Sequence, residues 1–147
     1  MHYINHLGRR GVGFLHSGGK NSSDYLVGEI IKRNPSSILE IGCGTGATLI
    51  SLASRSNIRS IIGIDTSVSQ IKMATKRVKY CQLEGHIQLR VIDWSNQLEF
   101  KNNSFDVIFA ESVLGLLSHK DLSTVMKEVK RILKPNGIFI SNDAIWK

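Results

Sequence analysis

Short apolar runs alternate with amphipathic stretches along most of the chain. Ser37–Ile41 (SILEI) is brief and apolar, as suits a strand buried on both faces. Ala47–Ser56 (ATLISLASRS) reads as a helix and Ser60–Asp65 (SIIGID) as a second strand. Ser67 followed by Gln70 has the form of a capping box, opening a helix over 68–81 with Ile71, Ala74, Thr75 and Val78 inward. His86–Asp93 (HIQLRVID) and Ser104–Ser112 (SFDVIFAES) predict strands three and four. Leu122, Val125, Met126, Val129, Ile132 and Leu133 recur at three- and four-residue steps, which predicts an amphipathic helix from Asp121 to Leu133. Lys134–Gly137 (KPNG) then makes a turn, and Ile138–Asn142 (IFISN) a fifth strand. Upstream, a helix from Ser22 or Ser23 carries Leu26, Ile30 and Ile31 as a stripe and stops at Asn34-Pro35. Residues 1–21 lack any sustained period and read as an arm, which leaves 22–147 as one domain.

Strands alternating with helices imply right-handed crossovers and a mostly parallel α/β sheet. Ligands of such sheets bind beyond the carboxyl ends of the strands. That rule lines up Glu40 to Gly46, Asp65, Asp93 and Glu111 along one edge.

Composition changes this picture little. No apolar run approaches the roughly 20 residues of a membrane span, and the N-terminus has no signal-peptide core. A soluble, cytoplasmic protein is the expectation. Of the two cysteines, Cys43 fits a glycine loop as a small residue and Cys81 ends a helix. Neither implies a disulfide or a metal site. The net charge of +7 sits mainly on Lys72, Lys76, Arg77 and Lys79, and on Lys127, Lys130, Arg131 and Lys134. Both sets read as solvated helix faces before a nucleic-acid footprint.

The chemistry starts at Ile38–Thr48, ILEIGCGTGAT. Glycines after a strand let a ligand touch the backbone, and the following helix N-terminus offers free N–H groups. Gly42, Gly44 and Ala47 even satisfy a loose dinucleotide pattern. The loop alone suits NAD and S-adenosylmethionine equally. Glu40 tips the balance, because a carboxylate at the mouth repels a pyrophosphate and suits an ammonium or sulfonium. Gly46 extends the pattern to E-x-G-x-G-x-G. Asp65, at a strand end, can take ribose hydroxyls with either cofactor. Asp93 can accept from an adenine amino group, with Trp94 covering the ring.

ILEIGCGTGAT, IIGIDTS, VIDW, NSFDVIFAESVLGLL and EVKRILKPNGIFI, in that order, resemble the motifs of class I S-adenosylmethionine-dependent methyltransferases. The nearest group is the small-molecule one that includes ubiquinone and menaquinone biosynthesis enzymes. The resemblance runs from about Ser36 to Asn142. It implies a Rossmann-like doubly wound sheet of order 3-2-1-4-5 flanked by helices, S-adenosyl-L-methionine as cofactor and a small-molecule methyl acceptor. It also implies roles. Glu40, Gly42, Cys43, Gly44 and Gly46 would surround the methionine part and ribose. Asp65 would hold the ribose, with Thr66 and Gln70 nearby. Asp93 and Trp94 would meet the adenine, and Ala110 and Glu111 would line the methionine end. His16–Lys20 would be a lid over the cofactor.

The family's sheet has two further strands after the fifth, absent here, so the domain is expected to be C-terminally incomplete. It would then be a cofactor-binding but inactive fragment, or pair with a second copy through its uncovered edge. No N-P-P-Y or D-P-P-Y follows strand four, which lowers the RNA-methylating alternative. His16, His119, Glu111 and Asp143 are candidate bases for a hydroxyl acceptor. None is assigned as catalytic.

Overall fold

The structure is a computed structural model that describes residues 13–14 and 18–143. Its elements in chain order are α1 (Gly19–Lys32), β1 (Ser37–Ile41), α2 (Ala47–Arg55), β2 (Ser60–Asp65), α3 (Val68–Tyr80), β3 (Ile87–Val91), β4 (Phe105–Glu111), a 3-10 turn (Leu114–Leu116), α4 (His119–Ile132) and β5 (Leu133–Asn142). The five strands form one sheet of order β3-β2-β1-β4-β5, with every pairing parallel. This is the doubly wound arrangement that the order of elements predicts. The arm and the lid over residues 1–21 fall largely outside the described residues.

Alternation along the strands divides the core in two. Ile38, Ile61, Val107 and Phe109 pack with Leu26, Val27 and Ile30 of α1 and Leu49 and Leu52 of α2. Leu39, Ile41, Ile62, Ile64, Ile108 and Ala110 face the other way, onto Val125, Val129 and Ile132 of α4. Register then carries the alternation across the sheet. Glu40 lies opposite Gly63 on β2 and Phe109 on β4. Asp65 and Glu111 each stand two residues beyond those partners, so all three acids share one face at one end of the sheet.

Several local details depart from the sequence pattern. α1 starts at Gly19, ahead of Ser22, with Lys20 and Asp24 paired one turn apart. On α3, Thr75 is exposed and Gln70 takes the inward place beside Ile71, Ala74 and Val78. Only half of the capping box forms. Ser67 Oγ accepts from Gln70 N at 3.4 Å, while Ser67 N donates to Asp65 Oδ1 at 2.8 Å. On α4, Met126 is 39% exposed and Glu128 is buried in the stripe. Glu128 is held there by Leu98 N (2.9 Å) and by Arg131, through Nε (2.9 Å) and Nη2 (2.6 Å). Leu133 leaves the helix and opens β5 opposite Phe105. The expected turn at Lys134–Gly137 lies inside β5, as a bulge between the Phe105–Leu133 and Val107–Ile138 pairs.

Candidate functional site

The first glycine loop joins β1 to α2 and folds over the end of β2. Gly42 N and Cys43 N both donate to Ile64 O, at 2.8 and 3.0 Å. Gly42 has a φ of +73°, and a Cβ there would meet Val113 Cγ2 at 2.1 Å. That position needs glycine for both reasons. Gly44 is also left-handed, at +52°, yet a Cβ there would meet nothing within 4 Å. Its free side faces the cavity, where a ligand can approach the backbone.

That cavity, of about 370 Å³, lies over the carboxyl ends of β1, β2 and β4. Nine of the residues singled out from sequence line it: Glu40, Gly42, Cys43, Gly44, Asp65, Thr66, Gln70, Trp94 and Glu111. Three others do not. Gly46 turns its α-carbon toward Ala74, whose Cβ lies 3.2 Å from where a Cβ would stand. Ala110 alternates to the α4 face. Asp93 lies two residues beyond the end of β3, is exposed, and accepts from Ser95 N at 2.9 Å. That hydrogen bond holds the Asp93 carboxyl below its ordinary pKa.

The wall contains three acids and no lysine, arginine or histidine among the described residues. Asp65 Oδ2 accepts from Gly44 N at 2.9 Å, and its Oδ1 from Ser67 N. Burial raises its pKa against the pull of these bonds. Glu111 accepts from Ser23 Oγ of α1 (3.1 and 3.0 Å), Thr48 Oγ1 of α2 (2.8 Å) and Asn142 Nδ2 of β5 (3.3 Å). Glu40 differs from both. It is 3% exposed, and among the described residues its buried Oε2 has no hydrogen-bond partner. Desolvation first, then Glu111 and Asp65, pushes its pKa well above the usual carboxyl range. Cys43, also in this wall, has its thiol pushed up by burial.

A family described as "Methyltransferase domain" matches residues 38–137. The chain belongs to this methyltransferase-domain family. Among curated relatives, a Haemophilus influenzae protein without an assigned activity is 28% identical over 141 residues, 96% of this chain and 55% of its own length. A demethylmenaquinone methyltransferase of Leptospira interrogans is 31% identical over 106 residues, 72% of this chain and 42% of its own length. The chain therefore spans about half the length of these relatives. Among solved structures, one from Methanococcus maripaludis, assigned as an S-adenosyl-L-methionine-dependent methyltransferase, superposes with a TM-score of 0.70. It is 27% identical and covers 78% of this chain and 52% of its own.

The cofactor of this methyltransferase domain is S-adenosyl-L-methionine. The residues present fit it. A wall whose charged side chains, among the described residues, are all acids suits a ligand with a sulfonium and an ammonium. Glu40 Oε2 is an acceptor awaiting a donor, and the open side of Gly44 admits a close approach.

Sequence reasoning missed half of this wall: Phe14, Thr45, Ala47, Thr48, Ser67, Ser112, Val113, Leu116 and Leu117. Ser112 to Leu117 lay in plain view as an apolar stretch without helical period just after a strand. Its chain path was not legible. Ser112 takes a φ of +51°, fixed by its N–H donating to Asn142 O at 2.8 Å. Of the candidate bases among the described residues, only Glu111 lines the cavity. His119 is exposed at the start of α4, Asp143 follows β5 near Gly115 N (3.5 Å), and His16 lies outside the described residues.

Proposed function

We propose that this domain moves the methyl group of S-adenosyl-L-methionine to a small-molecule acceptor that enters beside Val113, Leu116 and Leu117. One observation carries this reading: the cavity wall joins a cluster of three acids to an apolar segment after β4. The acids suit the cationic cofactor, and the apolar segment suits an uncharged organic acceptor. The relative named as a demethylmenaquinone methyltransferase supports an acceptor of that size.

When bound, the cofactor supplies a methyl group already activated on a sulfonium. The protein's part is to orient an oxygen, nitrogen, sulfur or carbon nucleophile and keep water out, and orientation accounts for roughly 7 to 11 kcal/mol of a barrier. In this reading Asp65, with Thr66 and Gln70, takes the ribose hydroxyls. Trp94 covers the adenine, with Asp93 outside it at the rim. Gly42 and Gly44 let the methionine part approach the backbone, and Glu40 and Glu111 receive its positive charge. Cys43 lines the cavity beside the glycines, while Gly46 and Ala110 support the loop and strand from behind.

Isothermal titration with S-adenosylhomocysteine tests the cofactor half. Binding is expected, with a marked loss in Asp65→Ala; a folded chain that binds nothing would sink the proposal. Transfer from methyl-labelled cofactor to a panel of quinols, phenols and amines tests the other half. Cofactor binding with no panel member methylated would leave the acceptor half of the proposal without support.

A further inference from the structure

We propose that Glu40 distinguishes the cationic methyl donor from its neutral product by giving up a proton when the donor enters the cavity. This rests on the S-adenosylmethionine reading of the site.

Glu40, Asp65 and Glu111 face one cavity from β1, β2 and β4, and they are not equivalent. Asp65 receives backbone N–H groups from Gly44 and Ser67. Glu111 receives Ser23, Thr48 and Asn142. Among the described residues Glu40 Oε2 receives nothing, and the only titratable wall residue besides the three acids is the Cys43 thiol. A buried carboxylate without donors or a countercharge takes a proton in place of ionising. Of the three acids, Glu40 is the one left to hold it.

The two ligands differ by one charge. The donor carries a sulfonium, an ammonium and a carboxylate, a net charge of +1. After transfer, the electron pair of the broken carbon–sulfur bond stays on sulfur, and the product is a neutral thioether. Both ligands bring the ammonium and carboxylate, so only the donor brings surplus positive charge to three acids. Glu40 then ionises, its proton passes to the buffer, and it is reprotonated from solvent once the sulfonium is gone. Below the point where Glu40 ionises unaided, donor affinity rises with pH by up to about tenfold per unit, and product affinity by less.

Titration calorimetry of the full chain near pH 7, in phosphate and in Tris, counts the protons exchanged with each ligand. More protons are expected to leave with S-adenosylmethionine than with S-adenosylhomocysteine, and Glu40→Gln is expected to abolish the difference. Equal counts for the two ligands, or a difference that survives Glu40→Gln, would overturn the proposal. Should that variant fail to fold, infrared difference spectra of the unaltered protein decide. Donor addition should remove a buried protonated-carboxyl band, and an unchanged band overturns the assignment. If neither ligand binds, the parent cofactor reading fails as well. If both bind with equal counts, only this inference does.

Discussion

The Ser23 hydroxyl lies 3.1 and 3.0 Å from the two carboxylate oxygens of Glu111, 88 residues further along the chain. Ser23 is 1% exposed, so the bond ties α1 to the end of β4 inside the core. A hydrogen bond to a charged group contributes about 1.5–3 kcal/mol. Ser23→Ala should lower the unfolding free energy from urea melts by an amount in that range, with a matching fall in the midpoint, and Ser23→Thr should recover part of it. An unchanged midpoint in Ser23→Ala would show that α1 docks without this contact.

Gly42 and Gly44 should separate stability from binding. A methyl group at Gly42 collides with Val113, so Gly42→Ala should cost several kcal/mol, well beyond the roughly 1–2 kcal/mol of a left-handed non-glycine residue. Gly44→Ala meets open space and should lose no more than that strain, while cofactor affinity falls clearly. Thermal melts and calorimetry on the two variants would reveal a reversed pattern at once.

The Glu128–Arg131 pair is a structural clamp outside the cavity. Arg131 also donates to Phe100 O at 2.7 Å and Leu98 O at 2.9 Å, fastening the segment before β4 onto α4. Arg131→Met strands the mostly buried Glu128 carboxylate, at a cost on the order of 3 kcal/mol. Hydrogen exchange at Leu98 N should accelerate, with cofactor binding little changed.

The pH dependence of the ligand-free protein should carry two limbs of opposite sign. At the far end of the sheet, burial pushes Asp106 upward, but bonds from Lys134, Ser36 and Ser37 outweigh it and hold its pKa far below normal. A depressed carboxyl stabilises the fold above its ordinary value, and that contribution is lost as pH falls through the depressed one. Asp106→Asn should therefore flatten the acid limb of a Tm-against-pH curve.

Glu40 works the other way. Its raised pKa gives a contribution present below the ordinary carboxyl value and lost as pH rises toward the raised one. Glu40→Gln should flatten this falling limb in the absence of ligand. A wild-type curve with no falling limb above the ordinary carboxyl range would contradict the raised pKa of Glu40.

Repeat lengths, glycine spacing and strand-end acids are local properties, and the chain carries them openly. From them alone followed the alternation of strands and helices, the parallel sheet, and the gathering of Glu40, Asp65 and Glu111 at the carboxyl ends, where they line one cavity. Tertiary structure decided what depends on register and on side chains distant in sequence. It turned Ala110 to the α4 face while its neighbour Glu111 entered the cavity, because alternation only gains a direction once β4 pairs with β1. It buried Glu128 in an apolar stripe, because Arg131 and Leu98 N waited there. Above all, it separated three similar acids by their donors. Ser23, Thr48 and Asn142 come from three different elements, so no reading of residues near Glu111 could have shown that it is satisfied and Glu40 is not.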